Sequence, residues 1–369
     1  MAFYRHFCET EDFEIQVITD NTQILQYSVP YNYLLITHNS HWLRLAKTRL
    51  HKIVHSWSHI FEGSFLPDHV LEKAHCFQPD IILTVAGSWS WTAKMAGQLA
   101  KQLNLPLVGS FNDWWYYNLI FHPWTGSLIE REFRNFYQRC DLALCTSEGM
   151  KDALGHHHNS IIFYPTGALI SNTQDSVQNS KSSQQLFTVA FAGNLGEWYG
   201  QMLEALVRVA SDAPLRFKIF GSNAGWSQQF HHQVLKTGIY GGQVSFEHLR
   251  NEMQDVDALL LLMGFDPSFA QIERTSFKTK FLDYLSFQKP ILLWGPDYCS
   301  AVRVAQEFDS AEICTSLNPK DFLSVILKVA NDSLRQQKLV KQAYQMYCDR
   351  FHPGKVHQLL VRKVSELIK

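Results

Sequence analysis

The segment best suited to chemistry runs Glu273-Arg274-Thr275-Ser276-Phe277-Lys278-Thr279-Lys280-Phe281-Leu282-Asp283-Tyr284-Leu285, followed by Gln288-Lys289-Pro290 and the apolar run ILLWG. A hydroxyl pair at Thr275 and Ser276 suits the N-cap of a helix, and the amides of that helix's first turn would then favour an anion. Lys278 and Lys280 add cations at the same end, where a helix dipole alone favours Asp or Glu. Cations set against that preference point to an anionic ligand. Asp283 follows Ser276 by two helical turns, where a carboxylate could accept the ribose hydroxyls of a nucleotide whose diphosphate sits at the helix start. The plain alternative is a capped, solvated helix with an incidental Asp, and spacing alone leaves both open.

A second candidate is the turn Gly193-Asn194-Leu195-Gly196-Glu197-Trp198-Tyr199-Gly200, which follows the apolar run FTVAFA. Glycines between a buried strand and a helix let backbone amides approach a phosphate, and Gly193, Asn194 and Gly196 are the residues placed to do so. An ordinary glycine-rich strand-to-helix turn has the same composition. The chain contains neither the G-x-G-x-x-G dinucleotide fingerprint nor the G-x-x-x-x-G-K-[ST] phosphate loop, which argues against a nicotinamide dehydrogenase and a P-loop kinase. Neither His156-His157-His158 nor His231-His232 has the i, i+4 spacing of a metal site, so no metal ligands are expected.

Earlier in the chain, Gly109-Ser110-Phe111-Asn112-Asp113-Trp114-Trp115 ends another apolar run. Asp113 there could orient or deprotonate a hydroxyl, or simply cap a helix. Gly87-Ser88-Trp89-Ser90-Trp91 is a further strand-end loop, in which Ser88 and Trp89 offer polar and aromatic contacts to a sugar.

Positioning these loops requires a scaffold, and the sequence alternates short apolar runs with amphipathic stretches. FEIQVIT, YLLIT, IILTVAG, LPLVGSF, LALCT and IIFYP occupy the first half; FTVAFAG, LRFKIFG, VSFE, ALLLLMG, PILLWG and AEICT the second. Strands apolar on both faces and separated by helices predict parallel sheets covered on both sides, the doubly wound α/β class. The polar stretch 171–186, SNTQDSVQNSKSSQQL, reads as a linker. The expected organisation is a domain over 1–170 lacking a clear opening strand, this linker, a domain over 187–350, and a terminal helix over 351–369.

At 369 residues, 46% hydrophobic and 18% charged, the chain can build two cores. Lys and Arg total 33 against 34 Asp and Glu, which leaves no basic footprint for nucleic acid and no polybasic membrane anchor. Seven cysteines without a C-x-x-C pair fit reduced thiols, and the N-terminus has no signal-peptide pattern, so a cytoplasmic protein is expected.

The order of these motifs resembles the donor domain of GT-B glycosyltransferases, above all the large retaining family numbered four. TSFKTKFLDYLSFQKPILLWGP is similar to the family signature, and the FAGNLGEWYG turn, the KIFG strand and Pro165-Thr166-Gly167 fall in the matching order. The resemblance is strong from about 140 to 350 and weaker before. It implies two Rossmann-like domains flanking a cleft, a nucleotide diphosphate sugar as donor, and a glycan, lipid-linked or small-molecule acceptor. Asp283 then takes the place of the ribose-binding acid, Ser276 and Phe277 lie where amides hold the diphosphate, and Lys280 matches the motif's lysine. The family's first glutamate falls on Thr275, and Lys278 stands where proline is common, partly replacing phosphate-clamping charge absent from the 193–200 turn. Asn112 replaces the histidine of the family's His-Asp pair, beside Asp113.

The implied reaction is hexose transfer with retention, without a metal or other cofactor, the leaving phosphate accepting the acceptor's proton. Catalytic roles are expected for Lys278, Lys280 and Asp113, the last as general base if the route inverts. A non-catalytic nucleotide- or glycan-binding relative and a sugar-nucleotide epimerase are the alternatives. Weak peripheral membrane contact, through a lipid-linked acceptor, is the one membrane expectation.

Overall fold

The computed structural model describes residues 6–7, 11–22, 31–36, 47–61, 63–87, 91–115, 120–167 and 186–368. The chain divides into two compact units. One comprises Met1–Pro165, Thr275–Phe277 and Val356–Lys369; the other comprises Thr166–Arg274 and Lys278–Lys355. The predicted linker 171–186 lies, apart from Leu186, outside the described residues.

In the first unit β1 (Gln16–Thr19) and β2 (Asn32–Leu35) pair in parallel. A separate parallel sheet has the order β3 (Ile82–Ala86), β4 (Leu107–Phe111), β5 (Leu142–Cys145), β6 (Ser160–Ile162). Every residue of β4 and β5 is buried, as a strand covered on both faces requires. Helices α1 (His51–Phe61), α2 (Asp68–Phe77), α3 (Trp91–Leu103), α4 (Gly126–Arg139) and α5 (Glu148–Leu154) accompany these strands. In α4 the spacing of Ile129, Phe133, Phe136 and Tyr137 turns one face inward. Phe133 stacks on Trp115 at 4.8 Å and meets Phe111 at 5.5 Å. Truncating such a ring to Ala costs about 3–5 kcal/mol.

The second unit holds one six-stranded parallel sheet: β7 (Phe187–Ala192), β8 (Leu215–Phe220), β9 (Tyr240–Gly242), β10 (Ala258–Leu262), β11 (Ile291–Trp294) and β12 (Glu312–Cys314), in the order β12-β11-β10-β7-β8-β9. Helices α6 (Glu197–Val209), α7 (Gln228–Lys236), α8 (Phe246–Gln254), α9 (Ala270–Thr275), α10 (Thr279–Leu285) and α11 (Ser300–Phe308) connect the strands, and α12 (Pro319–Ala330) and α13 (Ser333–Met346) follow β12. The core joins Phe191, Leu206, Phe217, Leu260, Trp294 and Phe322. The run VSFE, read as a strand, is instead the start of α8. The Ser245 hydroxyl accepts from the His248 amide and caps that helix, and the strand is the preceding Tyr240–Gly242.

A terminal helix, α14 (Pro353–Ile368), brings Val356, Leu360 and Val364 against Val108, Leu142, Leu144 and Phe163 of the first unit. Among the described residues, no helix is long and apolar enough to cross a membrane.

Strand order reverses between β7 and β10, which are direct neighbours in the second sheet. In open parallel sheets such a reversal leaves a crevice at the carboxyl ends of the two strands, and ligands bind there. The loops leaving β7 and β10 are therefore the ones to inspect.

Candidate functional site

The turn after β7 is shaped by backbone bonds to its neighbour: the Gly193 amide donates to the Phe220 carbonyl and the Leu195 amide to the Ser222 carbonyl, both at 2.9 Å. Gly193 has φ +143°, and a Cβ there would stand 2.0 Å from Lys280 Nζ, so both its conformation and its lack of a side chain are used. Gly196 is the N-cap of α6. Asn194 is exposed, and its side-chain oxygen accepts from the Gly196 amide at 3.1 Å, holding the turn.

The signature segment folds differently from its sequence reading. Thr275 ends α9 and does not begin the next helix; α10 starts at Thr279, with Lys278 at the cap and no side-chain cap bond. Thr275 is fully buried, and its carbonyl accepts the Ser147 hydroxyl. Ser276 donates its hydroxyl to Asp113 Oδ1 at 3.0 Å. Both hydroxyl-bearing residues are thus engaged by distant partners in the first unit, and the expected capping pair does not form. Asp283 consequently lies one turn from the true helix start, half-buried. Phe277 is buried edge-on to Tyr164 at 5.2 Å.

In the second unit α10 is fixed by Tyr284, whose buried hydroxyl accepts from the Ala192 amide at the end of β7, 3.0 Å away. That anchor places Lys280 over the Phe191 ring, its amine 4.1 Å from the centroid and against Gly193. Burial, together with the charge of Lys278, lowers the Lys280 amine to about 7, while the Asp283 carboxylate acts in the opposite direction.

The sequence reading missed a carboxylate. Glu273, 1% exposed, accepts the Gly264 amide and the Tyr199 hydroxyl on Oε1, each at 3.2 Å, and pairs through Oε2 with the Lys278 ammonium at 2.8 Å. Gly264 follows β10, so this cluster stands at the second edge of the strand-order reversal. Burial opposes the Lys278 charge, but Glu273 and Tyr199 outweigh it and raise the amine above its usual range. No acid stands at position 275, as expected, yet a buried one lies two residues earlier. The lysine five residues after Glu273 and the tyrosine of the 193–200 turn were the available signals, but neither carries a recognisable period.

Asp113 is exposed at the end of β4, and Asn112 beside it accepts the Ser110 hydroxyl at 3.3 Å. Ser88 and Trp89 lie outside the described residues. The expected residues therefore gather as two groups, each within one unit: Gly193, Lys280 and Asp283 with Lys278, and Asp113 with Ser276 and the chain to Phe277. The first group presents a partly neutral amine and the amino end of α6 at the reversal, an arrangement that suits a phosphate.

Residues 10–162 match the model of Glycosyltransferase Family 4, on the part of the chain where the sequence resemblance was weaker. No curated protein matches the sequence. Among solved structures, HepE from Anabaena in complex with UDP-glucose is similar at 16% identity and TM-score 0.59, over 81% of this chain and 82% of that one. A glycosyltransferase from Rickettsia africae aligns over 96% and 90%, at 10% identity and TM-score 0.65. Sucrose-phosphate synthase from Thermosynechococcus elongatus aligns over 80% and 77%, at 12% identity and TM-score 0.58. At these identities the likeness is one of fold: the chain has the two-unit Rossmann-like architecture of GT-B glycosyltransferases.

Proposed function

We propose that the protein is a glycosyltransferase that moves a hexose from a nucleotide diphosphate sugar to a hydroxyl acceptor, with retention and without a metal. The observation that carries this reading is the lodging of Lys280 against Gly193, where the second sheet reverses its strand order. A side chain at 193 would exclude the amine, which stands at the amino end of α6 where a phosphate is favoured.

In this reading the diphosphate lies over the first turn of α6 and takes charge-assisted hydrogen bonds from Lys280, while Asp283 accepts the ribose hydroxyls. The anomeric carbon–oxygen bond breaks, and negative charge grows on the leaving phosphate oxygen. Preorganised donors at that oxygen lower the barrier by about 3–4 kcal/mol each. The acceptor oxygen bonds to the anomeric carbon from the same face, and its proton passes to the departing phosphate. Glu273 keeps Lys278 charged beside the leaving group. HepE holds UDP-glucose, which makes a uridine donor the first to try.

A non-catalytic binding protein is the second reading, favoured by the Glu273–Lys278 pair, which takes up one of the two expected phosphate cations. Calorimetric titration with UDP, GDP and ADP, alongside Asp283→Ala, tests the site. One nucleotide should bind, about tenfold or more weaker in the variant, or roughly 1.4 kcal/mol. No binding by folded protein ends the donor-site reading. Binding of the matching nucleotide sugar without hydrolysis or transfer favours the second reading.

A further inference from the structure

The sheet of the first unit is split. β1 is joined to β2 alone and β3 to β4 alone, so among the described residues one side of β1 and one side of β3 have no strand partner. The hydrogen bonds show which residues look out from those sides. The Ile36 amide donates to the Thr19 carbonyl at 2.8 Å, so Val17 and Thr19 face β2, and Gln16 and Ile18 turn their amides and carbonyls the other way. The Ile82 amide donates to the Pro106 carbonyl at 3.0 Å, so Ile82 and Thr84 face β4, and Leu83 and Val85 look out. A cavity of about 490 Å³ is lined by both edges, residues 16–18 and 81–85, and by Phe77, Met95, Leu99 and Leu360. Burial agrees with the split. β4 and β5 are buried throughout, whereas every residue of β1 is only half-buried and Val85 of β3 is 37% exposed, although IILTVAG is as apolar as its neighbours.

An occupant of this gap has to meet backbone donors and acceptors on both walls, with apolar side chains around them. An acyl chain would leave those peptide groups unmet, whereas an extended peptide satisfies them as a strand added to a sheet edge does. The size fits as well. One residue in a sheet takes about 4.8 by 3.3 by 10 Å, or roughly 160 Å³, so the cavity holds about three residues, the length of β6. The six strand-like apolar runs of the first half are all in use as β1 to β6. We propose that the gap receives an extended segment of a partner polypeptide, apolar on both faces, which pairs with β1 and β3 and joins the two- and four-stranded sheets into one of seven. Side chains of α2, α3 and α14 already supply the cover that a central strand needs.

The test is hydrogen exchange of the full chain, read at the Ile18 and Leu83 amides, with and without the acetylated and amidated peptide KVIVIVK. An analogue N-methylated at its three central residues keeps the apolar side chains but cannot donate from them, and calorimetry gives the affinity of each peptide. The parent peptide should slow exchange at both amides at least about tenfold. The analogue should bind at least about tenfold more weakly and protect neither. Leu83→Pro, shown to be folded by thermal melting, removes one amide from the edge of the gap and should weaken the parent peptide about fivefold. The methylated analogue alters the ligand and not the protein, so it stands as a separate arm if that variant misfolds. No binding of the parent peptide by folded protein, or binding that leaves Ile18 and Leu83 exchanging as before, overturns the proposal. Equal binding of the two peptides overturns it in favour of a site for apolar small molecules.

Discussion

Lys280 offers the sharpest quantitative test of the donor site. Its amine, lowered to about 7, is surrounded by the Phe191 ring, the Lys278 ammonium and the Asp283 carboxylate. In the free protein at pH 8.5 such an amine is protonated in only about 3% of molecules. If the diphosphate binds the protonated form, donor affinity is greatest below pH 7 and falls above it, because the charge is lost as pH rises. The dissociation constant should rise about tenfold between pH 7.5 and 8.5, and about one proton should be taken up per donor bound. Replacing Lys280 by Met should abolish the slope and weaken binding at pH 6.5 by about 10–100-fold, the worth of a charged hydrogen bond of about 1.5–3 kcal/mol. The assay is calorimetry with a UDP-sugar, whose diphosphate does not itself titrate in this range, repeated in buffers of different ionisation enthalpy. A flat dissociation constant from pH 6.5 to 8.5 in the wild type, or the same curve in Lys280→Met, would refute the argument.

Gly193→Ala places a methyl group where the Lys280 amine lies and forces a side chain onto φ +143°. It should destabilise the protein by about 1–3 kcal/mol in urea unfolding and weaken donor binding in parallel; a neutral result would mean that the amine moves aside freely. Glu273→Gln keeps the acceptor for Tyr199 and Gly264 but removes the counter-charge of Lys278, whose side chain is 21% exposed. Breaking a fully buried pair costs about 3–5 kcal/mol, so partial exposure makes a loss of about 1–3 kcal/mol the expectation, read by the same unfolding experiment.

The sheets were legible in the sequence because their signal is local and redundant. ALLLL and LVGSF are apolar on both faces, and only a central parallel strand uses such a run, as β10 and β4 do. Helices α3 and α4 carry their inward faces at helical spacing. The strand-end turns could be found, and Gly193 and Lys280 were singled out separately, but their contact was not. The helix start at Thr275-Ser276 was misread because capping propensity is local, while these two residues are held by Ser147 and Asp113, 128 and 163 residues away. Glu273 escaped notice for the same reason: its burial depends on an amide after β10 and a hydroxyl from α6, which no spacing reveals. Helix α1 shows the converse limit. The apolar spacing of Ile53, Trp57 and Phe61 is the same whether they face a core or the outside, and only exposure tells the two apart.

The seat of α14 has a consequence for how the protein is made. Val108, Leu142, Leu144 and Phe163 wait for Val356, Leu360 and Val364 to cover them. The ribosome must add nearly the whole second unit before those residues exist, roughly 10–40 s at 5–20 residues per second. Throughout that interval the nascent first unit shows an apolar face to solvent, while the same chain goes on to build a six-stranded sheet. The half of the protein that is translated first is thus completed late, and its exposure to chaperones and to aggregation is set by the translation of the other half.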